Sequence, residues 1–204
     1  MTLELLKSKN GRTLIESHCG VEGDVPENSW LAIQLGHQMG GGLIEVDVQL
    51  SRDGVPFIRH NYQLPDGRWC HDLPWDEIKD LRIDGEPLPA LEDVLGWARD
   101  AGTYLSLDLK TFFRSEGCLS KEVVRLLERT KTRDRVLLLF FDANGASVSY
   151  GILRPEDIER FHSMGTAVGL VEYWNVEAEL FRKFDIDVLA CGSPQAAQRI
   201  LGYQ

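Results

Sequence analysis

A chain of 204 residues with 43% hydrophobic content can bury one substantial core, so a single domain over residues 1–204 is expected. Its 22 basic and 32 acidic residues give a formal charge of −10, which argues against a general nucleic-acid or anionic-membrane binder and requires any phosphate site to be local. No run approaches the roughly 18 apolar residues of a membrane span, and the scattered charges of residues 1–12 do not read as a secretory signal, so a cytoplasmic location is expected.

Residues 13–17 read as a strand that delivers His18 to its end. Glu16 shares a face with His18, where a carboxylate could orient the imidazole. Asn28 or Ser29 caps a helix that runs to about Met39. Gly40-Gly41-Gly42 then stops it, as a turn rather than a phosphate loop, because a strand and not a helix follows.

Residues 43–50 alternate, with Ile44, Val46, Val48 and Leu50 on one face and Glu45, Asp47 and Gln49 on the other. Carboxylates at i and i+2 of a strand lie roughly 6 to 7 Å apart and repel unless a cation or water lies between them. An ordinary strand with its polar face in water is the alternative. Residues 55–59 form a short strand ending at His60. Residues 61–86, with Pro65, Gly67, Trp69, Pro74 and Trp75, are too irregular for one element, and His71 within them reads as a surface or capping residue.

Leu91, Val94, Leu95 and Ala98 follow helical spacing up to Gly102. Residues 103–110 alternate again, Leu105, Leu107 and Leu109 against Ser106, Asp108 and Lys110. If both alternating strands belong to one barrel, Asp108 completes an oxygen-rich site with Glu45 and Asp47, better suited to Mg²⁺ or Ca²⁺ than to Zn²⁺. Lys110 is then a nearby positive charge for an anion such as phosphate.

A helix over residues 121–128 turns Val123, Val124 and Leu127 inward, and residues 136–141 read as a buried strand. Residues 143–147 are too few for a right-handed parallel crossover into the weak strand at 148–153, since such a connection needs about ten residues or more. The barrel is therefore irregular there or lacks one βα unit. Pro155 opens a helix that carries a structural His162. A strand over 168–174, a helix over 176–184, a last strand over 188–191 and a short helix after Pro194 complete the chain. Cys19, Cys70, Cys118 and Cys191 show no Cys-x-x-Cys spacing, so neither a zinc site nor a disulfide framework is signalled.

His18-Cys19-Gly20, Pro26-Glu27-Asn28-Ser29, Glu45-Val46-Asp47, Asp53-Gly54, His60, the run from Leu88 to Leu95, Asp108-Leu109-Lys110 and a late Trp174 together resemble the glycerophosphodiester phosphodiesterases. The resemblance implies an α/β fold of the TIM (β/α)8 type, here reduced or irregular in its second half. It also implies metal-dependent hydrolysis of a small phosphodiester to glycerol phosphate and an alcohol, a reaction of lipid metabolism. By the same likeness His18 and His60 are the acid/base pair. Glu45, Asp47 and Asp108 are ligands of a divalent cation, Mg²⁺ or Ca²⁺. Lys110 contacts phosphate and Trp174 walls the pocket. One histidine deprotonates the nucleophile, water or a glycerol hydroxyl, and the other protonates the leaving oxygen.

The chain departs from the family's pattern in three places. Asp108 stands where a Glu is usual, the residues after Trp174 differ, and Cys19 replaces an Arg that contacts phosphate. The segment after His60 is also abbreviated, which implies a more open mouth. Two alternatives stay open: action on a lysophospholipid or sugar phosphodiester, and a non-catalytic homologue that binds a phosphate ligand. Closure of the barrel would set Cys19 and Cys191 on one rim, where a reducing cytoplasm disfavours a disulfide.

Overall fold

The computed structural model describes residues 14–110, 118–139, 169–171 and 188–203. In chain order the elements begin with strand β1 (Leu14–Ser17), helix α1 (Trp30–Gln38), and strands β2 (Leu43–Leu50) and β3 (Pro56–Ile58). Next come helix α2 (Trp75–Ile78), strands β4 (Arg82–Ile83) and β5 (Glu86–Pro87), helix α3 (Leu91–Ala101) and strand β6 (Tyr104–Leu109). Helix α4 (Cys118–Thr130), strands β7 (Val136–Leu139), β8 (Gly169–Val171) and β9 (Val188–Cys191), and helix α5 (Pro194–Leu201) follow.

The strands run β7-β6-β2-β1-β9-β8, and every neighbouring pair in that order is parallel. The first strand thus pairs with the last, Ser17 opposite Cys191, as closure of a barrel requires. The alternation within β2 and β6 explains their orientation. Ile44, Val46, Val48, Leu105, Leu107 and Leu109 pack against Leu91, Val94 and Leu95 of α3 and Leu119 and Val123 of α4. Burying each such side chain contributes roughly 1.5 to 3 kcal/mol. The opposite face, carrying Glu45, Asp47, Gln49, Ser106 and Asp108, is buried as well, so it is not a polar face in water.

Val124 departs from the expected inward set. It is 46% exposed, because the stripe of α4 is set by Leu119, Val123, Leu126 and Leu127 and residue 124 lies off it. β3 also differs from a barrel strand. It pairs antiparallel to β2, Val48 opposite Ile58. The short link through Arg52, Asp53 and Gly54 allows only such a return, since a parallel one needs a crossover.

The segment after His60 folds on its own apolar cluster of Leu64, Cys70, Leu73 and Ile78 around Phe57. Ser29 caps α1 by accepting from the Ala32 N–H at 3.1 Å. Gly36 lets that helix approach the turn after β1, for a Cβ there would collide with the Gly20 carbonyl. The expected irregular second half, His162, Trp174 and the helices after Pro155 and over 176–184 lie outside the described residues. No helix among the described residues is long and apolar enough to cross a membrane.

Candidate active site

Register between β2 and β6 builds the centre of the site. Glu45 stands opposite Ser106 and Asp47 opposite Asp108, so the carboxylates of two strands converge. Oxygens of Glu45, Asp47 and Asp108 all lie within 4.8 Å of one another. The Lys110 backbone N–H donates to the Val48 carbonyl at 2.9 Å, just past the end of β6. Its Nζ reaches Asp47 Oδ1 at 2.6 Å and donates to Asp108 as well.

Burial, then repulsion from Asp47, pushes the Glu45 carboxyl well above its ordinary range, although the Cys19 N–H donates to Oε2 at 2.7 Å. Burial likewise raises Asp108, against the pull of Lys110. Burial would raise Asp47 too, but there Lys110, with His60 and Asn28, outweighs it and holds the carboxyl below its usual value. Burial opposes the charge on Lys110, yet Asp47 and Asp108 keep the ammonium protonated. Were all three carboxylates ionised, one ammonium would leave two negative charges uncompensated, which burial and mutual repulsion oppose. Oxygen donors with that balance fit a hard divalent cation, so these residues could hold one.

Asn28 secures Asp47 from the opposite side. Its Nδ2 donates to Oδ2 at 2.7 Å, and its Oδ1 accepts from the Asp47 N–H at 2.9 Å. The backbone at Asn28 is left-handed, φ 58°, a conformation Asn tolerates better than most residues. The sequence offers Asn28 and Ser29 equally as helix caps. Ser29 takes that role, which leaves Asn28 for Asp47.

His18 leaves β1 with its Nδ1 2.8 Å from Glu22 Oε1. Nε2 faces Cys19 Sγ at 3.5 Å and Glu45 Oε2 at 3.9 Å. The carboxylate that orients the imidazole is therefore Glu22, not Glu16. Glu16 lies buried near Ser106, where burial pushes its carboxyl up to about 7 while the Ser106 hydroxyl acts in the opposite sense. No periodicity marks Glu22, which stands in the turn after β1.

Cys19 is 1% exposed, and its thiol donates to Asp47 Oδ2 at 3.5 Å. Burial raises its pKa, and Glu45, Asp47 and Glu27 raise it further, so a thiolate nucleophile has no support here. All of Cys19, Cys70, Cys118 and Cys191 are free.

His60 follows β3 and is exposed, its Nδ1 3.2 Å from Asn61 Oδ1. Gln49, the third residue of the polar face of β2, fixes this loop. Its Nε2 reaches the carbonyls of Arg59, His60 and Asn61 at 2.9, 3.2 and 2.8 Å. His60, Glu27, Asn28, Arg59 and Asp84 line a cavity of about 330 Å³. Asp84, Glu86 and Pro87, from the segment after His60, form part of its wall. His60 is among the groups that act on the Asp47 carboxyl, which links the cavity to the carboxylates. His18, Glu45, Asp47, Asp108 and Lys110 are thus gathered in direct contact, with His60 at the cavity beside them. Trp174 is outside the described residues.

An uncharacterized protein of Bacillus subtilis, YqiK, is 33% identical over 143 residues, which cover 64% of this chain and 58% of that protein. The chain spans about three-fifths of the length of the curated relatives it matches. A glycerophosphodiester phosphodiesterase from Agrobacterium tumefaciens superposes with a TM-score of 0.78 at 20% identity, over 94% of this chain and 100% of that one. A phosphodiesterase of Oleispira antarctica, solved in complex with the product sn-glycerol-3-phosphate, superposes at 0.70 with 22% identity, over 92% of this chain and 96% of the other. With the parallel sheet and its outer helices, these likenesses make the fold a TIM-type α/β barrel. The profile of the glycerophosphoryl diester phosphodiesterase family matches residues 18–200, so the chain belongs to that family.

Proposed function

We propose that the protein is a phosphoric diester hydrolase that cleaves glycerophosphodiesters to glycerol phosphate and an alcohol, working as one domain in the cytoplasm. The observation that carries the reading is the convergence of Glu45, Asp47 and Asp108 oxygens within 4.8 Å, with His18 on one side and the His60 cavity on the other. The phosphodiesterase of Oleispira antarctica, solved with sn-glycerol-3-phosphate, supports the product class.

In this reading Glu45, Asp47 and Asp108 hold a divalent cation, Mg²⁺ or Ca²⁺. When bound, it supplies charge neutralisation at a phosphoryl oxygen. The protein's own groups do the rest. Glu22 fixes the Nδ1 proton of His18 and so directs Nε2 inward, where it exchanges a proton with the reacting oxygen. His60, on a loop that Gln49 anchors, exchanges the second proton from the cavity side. Asn28 keeps Asp47 aimed at the centre. Lys110, held by Asp47 and Asp108, has a further N–H to donate to the phosphate.

Incubation with glycerophosphodiesters that differ in the alcohol, alongside a lysophospholipid and a sugar phosphodiester, tests the reading. Release of glycerol phosphate from one or more glycerophosphodiesters is expected. Binding of glycerol phosphate with no turnover on any of them would contradict it and leave a non-catalytic binding protein.

A further inference from the structure

The donors on the His18 side of the site differ in kind from those on the Lys110 side. His18 Nε2, Cys19 Sγ and a Glu45 oxygen lie within 4.8 Å of one another. Ligands arranged tetrahedrally about a zinc ion, at about 2.0 to 2.3 Å from it, are separated by about 3.3 to 3.8 Å. The separations of Nε2 from Sγ, 3.5 Å, and from Glu45 Oε2, 3.9 Å, are close to that spacing.

The imidazole is also prepared for ligation. Glu22 sits 2.8 Å from Nδ1, so Nδ1 carries the proton and the Nε2 lone pair is directed at the sulfur and the carboxylate. A carboxylate behind a histidine is the arrangement that orients metal-binding imidazoles and increases their basicity.

We propose that His18, Cys19 and Glu45 form a second cation site, selective for a thiophilic divalent ion such as Zn²⁺ or Cd²⁺, that shares Glu45 with the oxygen cluster. Because Glu45 belongs to both donor sets, a dication at one site lies close to the other and repels a second one there. Binding breaks the Cys19 S–H bond, releases the proton to water and forms a sulfur–metal bond, with no change of oxidation state. Thiolate sulfur is a soft donor, so a hard cation such as Mg²⁺ does not displace the thiol proton, whereas an ion with high sulfur affinity does. The site stands on its donors and not on the proposed hydrolysis, and it is tested by binding alone.

The probe is Cd²⁺, titrated without substrate into the metal-stripped 204-residue chain carrying Cys118→Ser, which removes the exposed thiol. A thiolate-to-cadmium charge-transfer band that saturates at one equivalent is expected. In Cys19→Ser the band should vanish and affinity fall at least 10-fold. Glu22→Gln should keep the band yet weaken binding about 10- to 100-fold, as expected for a partner behind a ligating histidine. No band in the folded parent, a band undiminished in Cys19→Ser, or unaltered affinity in folded Glu22→Gln would each overturn the proposal.

Discussion

Asn28 and Asp47 form a two-point contact, in which the amide Nδ2 donates to Oδ2 at 2.7 Å and the amide Oδ1 accepts from the Asp47 N–H at 2.9 Å. The contact orients one carboxylate of a cluster whose members otherwise repel. Asn28→Gly keeps the left-handed backbone, φ 58°, and deletes only the side chain. Calorimetric titration with Mg²⁺ should show affinity about 10- to 100-fold weaker than in the wild type. Unchanged affinity would mean that Lys110 alone suffices to hold Asp47.

Replacing either histidine separates catalysis from binding. His18→Ala and His60→Ala should each lower turnover by about 10² to 10⁴ while the circular dichroism spectrum stays that of the wild type. A variant that turns over at the wild-type rate would remove that histidine from the mechanism.

Glu16 makes stability depend on pH in an unusual direction. Its folded-state pKa is raised from 4.5 to about 7, chiefly by burial, so the folded protein retains a proton that the unfolded chain releases. Below about 4.5 both states are protonated and Glu16 costs no stability through its charge. As pH rises from there through about 7, stability declines by up to about 3 kcal/mol and then levels off. Denaturant unfolding with chelator present should show Glu16→Gln matching the wild type at the acid end and exceeding it by up to about 3 kcal/mol at pH 8. A difference that does not vary with pH would contradict the assignment.

Much of this site could be read from alternation alone. The i, i+2 pattern of β2 and β6 placed Glu45, Asp47 and Asp108 on the faces where they are found, because each strand has one wholly apolar side to bury. Residues outside periodic elements were harder to assign. Glu22 meets His18 only because of how the turn after β1 folds, and Glu16, two residues from His18 on a strand, was the more visible candidate. Gln49 lay on the expected face, but its targets, three consecutive carbonyls, carry no sequence signal. The antiparallel course of β3 is not marked by alternation; it follows from the short link to β2, which leaves no room for a crossover.

The central claim is that the carboxylate cluster works with a divalent cation in phosphodiester hydrolysis. The most direct measurement is glycerol phosphate release from a glycerophosphodiester by protein stripped with chelator, then by the same sample after addition of Mg²⁺ or Ca²⁺. Stripping should abolish release, and one of the two ions should restore it, because burial and mutual repulsion drive Glu45 and Asp108 toward their protonated forms unless a cation holds them ionised. Full activity in the metal-free sample would contradict the account.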